Sequence, residues 1–154
     1  MTQDPMAGAA GTARAGDPGT ASTPSTPGGV PVGHRVVHRR YVPHSHAHYA
    51  GNLVDGAYVL ALFGDVATEM MIRADADEGL FASYSDVQFH GAVRGGDVVE
   101  VSATLVRVGR RSREMRFEAH VTCRGAPDRG GNAADVLAEP LLITSATGTV
   151  VAPA

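Results

Sequence analysis

The chain has a single cysteine, Cys123, among its 154 residues. No intramolecular disulfide can form, and such a chain fits a reducing cytoplasm. It has no excess of basic charge: 13 Lys plus Arg against 16 Asp plus Glu give a formal net charge of −3. The strongly positive footprint of nucleic-acid and membrane-surface proteins is missing, so neither partner is expected. No apolar run approaches the roughly 18–20 residues that a membrane-crossing helix needs. No basic stretch followed by an apolar one opens the chain, and a secretory leader is not expected. Residues 1–33 are mostly Gly, Ala, Pro, Ser and Thr, with almost no large apolar side chain. Such a segment cannot bury enough surface to offset its ordering entropy, which predicts a disordered tail before a single domain over 34–154.

What is present is organised around one long apolar segment. After a Gly/Asn turn, residues from about Leu53 to about Arg73 are apolar around most of a helical circumference, the pattern of a helix with little face left for water. It nevertheless carries Asp55, Asp65 and Glu69. At 3.6 residues per turn Asp65 and Glu69 stand one above the other, with Tyr58 and Arg73 on the same side. A plain solvated face would show the same stripe, and Glu69 with Arg73 at i,i+4 is an ordinary helix-supporting pair.

The flanking segments read as strands. Arg35–Val42 is rich in β-branched residues and ends at Pro43. Leu80–Phe89 is a second strand, and Val98–Val108 and Ser112–Cys123 form an alternating hairpin about Gly109. In the latter, Met115, Phe117, Ala119 and Val121 share one face, and Arg116, Glu118, His120 and Thr122 the other. Arg124–Asp135 reads as a loop, and Leu141–Val151 as the last strand, with a bulge at Gly148. Strands with one apolar face need a partner layer, and the buried helix supplies it. The expected fold is α+β, a five-stranded antiparallel sheet wrapped around one central helix. Its open edges favour pairing into a homodimer or a larger homo-oligomer of dimers.

His44-Ser45-His46-Ala47-His48 would place three imidazoles on one side of an extended chain. No cysteine or carboxylate stands nearby at metal-site spacing, so no metal is expected. The Asp75–Gly79 acidic turn lacks the downstream bidentate Glu of a calcium loop.

Three stretches resemble one family closely: His48–Ala57 (HYAGNLVDGA), Phe63–Glu69 (FGDVATE) and Asp77–Phe81 (DEGLF). The likeness runs on through Gly96-Asp97, Val108-Gly109, Phe117–Ala119, Ala133–Leu137 and Ala146–Thr149, across residues 36–152. The chain resembles the hotdog-fold 3-aminobutyryl-CoA ammonia lyases of lysine fermentation and their β-alanyl-CoA relatives. That resemblance implies reversible loss of ammonia from a 3-aminoacyl-CoA to give a 2-enoyl-CoA, with coenzyme A entering as part of the substrate and no further cofactor. It makes Asp65, Glu69, His48 and Tyr49 the candidate catalytic groups. A carboxylate serves as base if burial lifts its pKa. Backbone N–H groups from Gly51 through Asn52 and Leu53 to Val54, near the helix start, could face the thioester oxygen. Asn52 is the expected helix cap, and Asp55 edges the same site. Gln88 stands where these lyases carry a Glu, and Arg110 replaces an Asn after Val108-Gly109. Arg110, Arg111 and Arg113 are candidates for the coenzyme A phosphates. The scaffold also carries thioesterases, enoyl-CoA hydratases and non-catalytic acyl-CoA binders, so these stay open as alternatives.

Overall fold

The computed structural model describes residues 29–153. The expected tail lies mostly outside the described residues. Its last residues are within them: Val30 packs against the core, and the Gly33 N–H donates to Leu105 O at 2.8 Å.

The elements run β1 (Arg35–Tyr41), a 3-10 turn (His44–His46), β2 (Ala47–Tyr49), β3 (Leu53–Val54), α1 (Gly56–Asp75), β4 (Leu80–Phe89), β5 (Val98–Val108), β6 (Ser112–Gly125), a 3-10 turn (Pro127–Arg129) and β7 (Ala134–Val151). Five strands form one antiparallel sheet in the order β1-β5-β6-β7-β4. It wraps α1, which is the hotdog arrangement. Alternation explains the layering. Met115, Phe117, Ala119 and Val121 on β6 and Val99, Val101, Ala103 and Leu105 on β5 are all buried, whereas Arg116 is exposed. From α1, Phe63, Val66, Met70 and Met71 fill the concavity. Among the described residues no helix is long and apolar enough to cross a membrane.

The structure corrects three expectations. First, the helix begins at Gly56, because Leu53-Val54 is held as a short strand against β2. Its cap is Asp55, not Asn52: the Asp55 carboxylate accepts the Tyr58 N–H at 3.0 Å. Second, β6 and β7 extend into the expected Arg124–Asp135 loop, pairing Cys123 with Val136 and Gly125 with Ala134 around the Pro127–Arg129 turn. Apart from Leu137, Ala134–Leu141 is exposed, so no period-two signal marks it as strand. Third, no irregularity falls at Gly148. The shifts of register in this pairing are on β4, between Phe81 and Ser83 and between Ser85 and Gln88. A Cβ at Gly148 would lie 2.7 Å from the Phe81 ring and 2.9 Å from that of Phe117, so the glycine makes room for stacked aromatics.

Candidate functional site

The polar stripe of α1 faces β1. Along β1 and the residue after it, one face carries Val36, His38, Arg40 and Val42, apolar and buried at both ends and basic in the middle. His38 Nε2 lies 2.5 Å from Glu69 Oε2, and Arg40 Nη2 lies 3.5 Å from Asp65 Oδ2. Arg73 closes on Glu69 Oε1 from the next turn, its Nε donating at 2.7 Å. The hydrogen bonds from His38, then from Arg73, hold the Glu69 carboxyl below the usual carboxylate range, against a smaller opposing effect of burial. The expectation of a carboxylate raised by burial is therefore corrected. Glu69 is an engaged anion, and the Asp65 side chain is 57% exposed.

The sign of that shift sets a pH dependence. A carboxylate whose pKa is lowered on folding contributes stability above its unfolded pKa, about 4.3 for Glu, and loses it as pH falls through the folded value. Glu69→Gln is expected to melt below the native protein at pH 7 and to converge with it below pH ~4. Parallel melting curves down to pH 3 would show Glu69 contributing nothing.

A cleft of about 320 Å³ opens at the start of α1. Asp55, Gly56 and Val59 form one wall, Phe89 at the end of β4 and Thr144 on β7 another, and Tyr49 and Gly91–Val93 complete it. The Asp55 cap engages the Tyr58 N–H only, leaving the Gly56 and Ala57 N–H groups for another acceptor. Partial positive charge gathers there from the helix dipole. Gly56 lets the Phe89 ring lie close over the helix start: a Cβ would fall 2.5 Å from it. The site thus joins a carboxylate, open backbone donors and a partly apolar wall. It can polarise a carbonyl and take a proton from the carbon beside it.

A larger cleft, about 510 Å³, lies on the other side of the β2–β3 hairpin. The tight turn Arg94-Gly95-Gly96-Asp97 forms its floor. Asp97 is 1% exposed; it accepts the Arg94 N–H at 2.8 Å and two bonds from Arg124, at 3.0 and 2.7 Å. Asn52, left-handed at φ 61°, clamps this turn: its Nδ2 donates to Gly95 O at 2.7 Å, and its own carbonyl accepts the Gly95 N–H at 3.0 Å.

These bonds relocate several expected site residues. The Val54 N–H is spent on Val93 O at 2.9 Å, and Leu53 bridges to Arg94. Gly51–Val54 is therefore a hairpin clamped to the 93–95 segment rather than the donor end of the helix. Gly51 and Asn52 line the larger cleft. Tyr49 reaches the helix-start cleft, while His48 is exposed and meets the Tyr49 ring edge-on at 4.5 Å. The three alternate histidines share no face: His44 turns to Asn52, His46 to Tyr58 and His48 to Tyr49. Gln88 is exposed and donates to Asp86 Oδ1 at 3.2 Å, outside both clefts.

Asp65 and Glu69 lie about 14 and 20 Å along the axis from Gly56, at 1.5 Å per residue. One protomer therefore does not bring them to the helix-start cleft. The three hairpin arginines stand at the far end of α1, about 30 Å from Asp55 by the same rise over 20 helical residues. Arg113 is partly buried in an ion pair with Asp75 and also donates to Gly109 O and Ser112 O, and Arg111 donates to Ala152 O at 3.0 Å. Both have structural work that the sequence did not reveal; Arg110 is exposed. Sequence reasoning missed His38, Arg40, Phe89, Arg94 and Thr144. The alternation of β1 was the available signal for the first two.

Residues 51–127 match the sequence model of the Thioesterase superfamily. The chain is 48% identical over 107 residues to the 3-aminobutyryl-CoA ammonia lyase of Acetoanaerobium sticklandii, covering 70% of this chain and 85% of that protein. Among solved structures it resembles the β-alanyl-CoA:ammonia lyase of Clostridium propionicum at a TM-score of 0.75 and 35% identity, over 79% of this chain and 86% of that one. A hexameric thioesterase of Yersinia pestis shares the fold at a TM-score of 0.63 and 18% identity, over 81% and 91% of the two chains.

Proposed function

We propose that this chain, which belongs to the thioesterase superfamily, is a carbon–nitrogen lyase that reversibly eliminates ammonia from a 3-aminoacyl-CoA, 3-aminobutyryl-CoA by its likeness to a lyase named for that substrate, to give the 2-enoyl-CoA. The observation that carries this reading is the pairing, in one cleft, of the Asp55 carboxylate with the open N–H groups of the α1 start, in a chain nearly half identical to a named ammonia lyase.

The chemistry follows from that pairing. The thioester oxygen rests on the Gly56 N–H at the start of α1, where enolate charge is stabilised as it develops. A carboxylate takes the proton from the carbon α to the carbonyl. The electron pair of that C–H bond moves to form the double bond as the C–N bond breaks, and the 3-ammonium group, already carrying its third proton, departs as ammonia. Asp55 is the carboxylate within reach in one protomer. Asp65 of the partner subunit becomes a second source if two helices meet across a two-fold axis near the exposed, small Ala57 and Ala61. We read the protein as a homo-oligomer: β4 is an edge strand with Leu80 64% and Phe89 57% exposed, a surface suited to pairing with a second copy. Coenzyme A enters as part of the substrate, and the single cysteine suits a cytoplasmic setting of acyl-CoA degradation, such as that of lysine.

The test uses purified full-length protein and crotonyl-CoA with and without ammonium, following the enoyl absorbance and identifying the product by mass. Formation of 3-aminobutyryl-CoA only with ammonium is the expected result. A water adduct would make the protein a hydratase, free coenzyme A a thioesterase, and an unchanged substrate would overturn the lyase reading.

A further inference from the structure

We propose that the Thr144 hydroxyl, at the back of the helix-start cleft, holds the 3-ammonium group of the substrate and the ammonia that leaves it. This rests on the lyase reading and adds to it the residue that sets the affinity for ammonia.

The inward row of β7 runs Thr144, Ala146, Gly148, Val150, and Thr144 is its one polar side chain. It is 1% exposed and lines the cleft together with Gly56 and Val59. The backbone before it is pinned: Ile143 O accepts the His90 N–H at 2.8 Å and the Gly91 N–H at 3.2 Å. Thr144 itself pairs with Phe89 in the β4–β7 ladder. A threonine away from water ordinarily donates its hydroxyl to a carbonyl. Thr68 donates to Gly64 O at 3.0 Å, and Thr122 to Val98 O at 3.2 Å. The Thr144 hydroxyl makes no such bond among the described residues. Yet the only side-chain polar atom among them that is wholly buried without a partner is Asp75 Oδ2. The free Thr144 hydroxyl therefore keeps its access to the cleft.

The chemistry selects the amine as its partner. The pantetheine arm of a thioester must leave through the mouth of the cleft, so the acyl end enters first. With the carbonyl at Gly56, C3 and its nitrogen stand deeper still. Of the side chains lining the cleft, Tyr49, Asp55 and Thr144 carry polar atoms. Tyr49 is 56% exposed, and Asp55 is the base within reach. Gln88, next to Phe89 on β4, pairs with Ser145 and so projects from the other face of the sheet. Thr144 remains. An ammonium group donates hydrogen bonds and accepts none, and a hydroxyl oxygen is a matching acceptor. As the C–N bond breaks, its electron pair stays on nitrogen, and ammonia forms with the hydrogens it already carries. Thr144 neither gains nor loses a proton. In the reverse direction the same contact, made through an N–H, leaves the nitrogen lone pair free to attack C3.

The experiment measures initial rates of ammonia addition to crotonyl-CoA, varying ammonium and crotonyl-CoA in turn. It compares the native protein with Thr144→Val, which keeps the shape and removes the hydroxyl, and Thr144→Ser, which keeps the hydroxyl. We expect KM for ammonium to rise about tenfold in Thr144→Val, the scale of one hydrogen bond to a charged group, while KM for crotonyl-CoA stays within about twofold of native. Thr144→Ser is expected to remain within about threefold of native for both substrates. If the valine variant does not fold, Thr144→Ala is expected to show the same selective rise. An unchanged KM for ammonium overturns the assignment. So does a parallel rise for both substrates, or a serine variant as impaired as the valine one, since either marks a packing role. A native protein that forms no amine adduct overturns the lyase reading and this assignment with it, so the native control separates the two failures.

Discussion

Asp97→Ala is expected to lower the stability of the fold by about 3 kcal/mol or more, because it strands a partly buried guanidinium. Asp97 is 1% exposed, and its carboxylate accepts three hydrogen bonds, one from the Arg94 N–H and two from Arg124. Arg124 is only 22% exposed and has one other acceptor, Ala92 O. Removing the carboxylate also releases the turn onto which Asn52 clamps the β2–β3 hairpin. In a domain of this size the loss corresponds to a fall of about 10 °C in melting temperature. The companion variant separates the causes. Asp97→Ala with Arg124→Met removes the stranded charge and is expected to recover part of the loss, the remainder being the turn itself. If Asp97→Ala melts within a degree or two of the native protein, the pair is not what anchors this corner of the fold.

What the sequence could reveal depended on whether the responsible contacts were local. The alternation of β5 and β6 is a property of neighbouring residues, so the inward set Met115, Phe117, Ala119, Val121 was legible in advance. So was α1, from its apolar circumference. The cap was misplaced because Asn52 and Asp55 are both good capping residues, and the choice between them turns on a bond from Asn52 to Gly95, 43 residues away. The structural partners of Arg111 and Arg113 were hidden for the same reason. Arg113 meets Asp75 across 38 residues, and nothing in the Arg-rich turn announces that partner. His38 and Arg40 were hidden differently: basic residues on a strand are normally turned outward, and only the polar stripe of α1 makes an inward position tolerable for them. The centre of the candidate site moved accordingly, from the middle of α1 to its first turn.

That move is tested by Asp55→Asn. Asparagine caps a helix about as well as aspartate, so the Tyr58 N–H keeps its acceptor and the fold is expected to melt within ~1 kcal/mol of the native stability. The change removes only the capacity to take a proton. With Asp55 as the base, kcat for ammonia addition to crotonyl-CoA falls about 10²–10⁴-fold. Asp65→Asn and Glu69→Gln are the necessary comparisons. Both residues lie beyond the reach of a thioester held at Gly56 in the same protomer, so either can act only from a second copy. Glu69, tied to His38 and Arg73, is expected to change stability with pH and to leave kcat within severalfold. A loss confined to Asp55→Asn places the base in the helix-start cleft. An equally deep loss in Asp65→Asn, restored when it is mixed with Asp55→Asn protein to form hybrid oligomers, would show that each active site draws on two protomers. Near-native kcat in Asp55→Asn would remove Asp55 from the chemistry and leave it the helix cap alone.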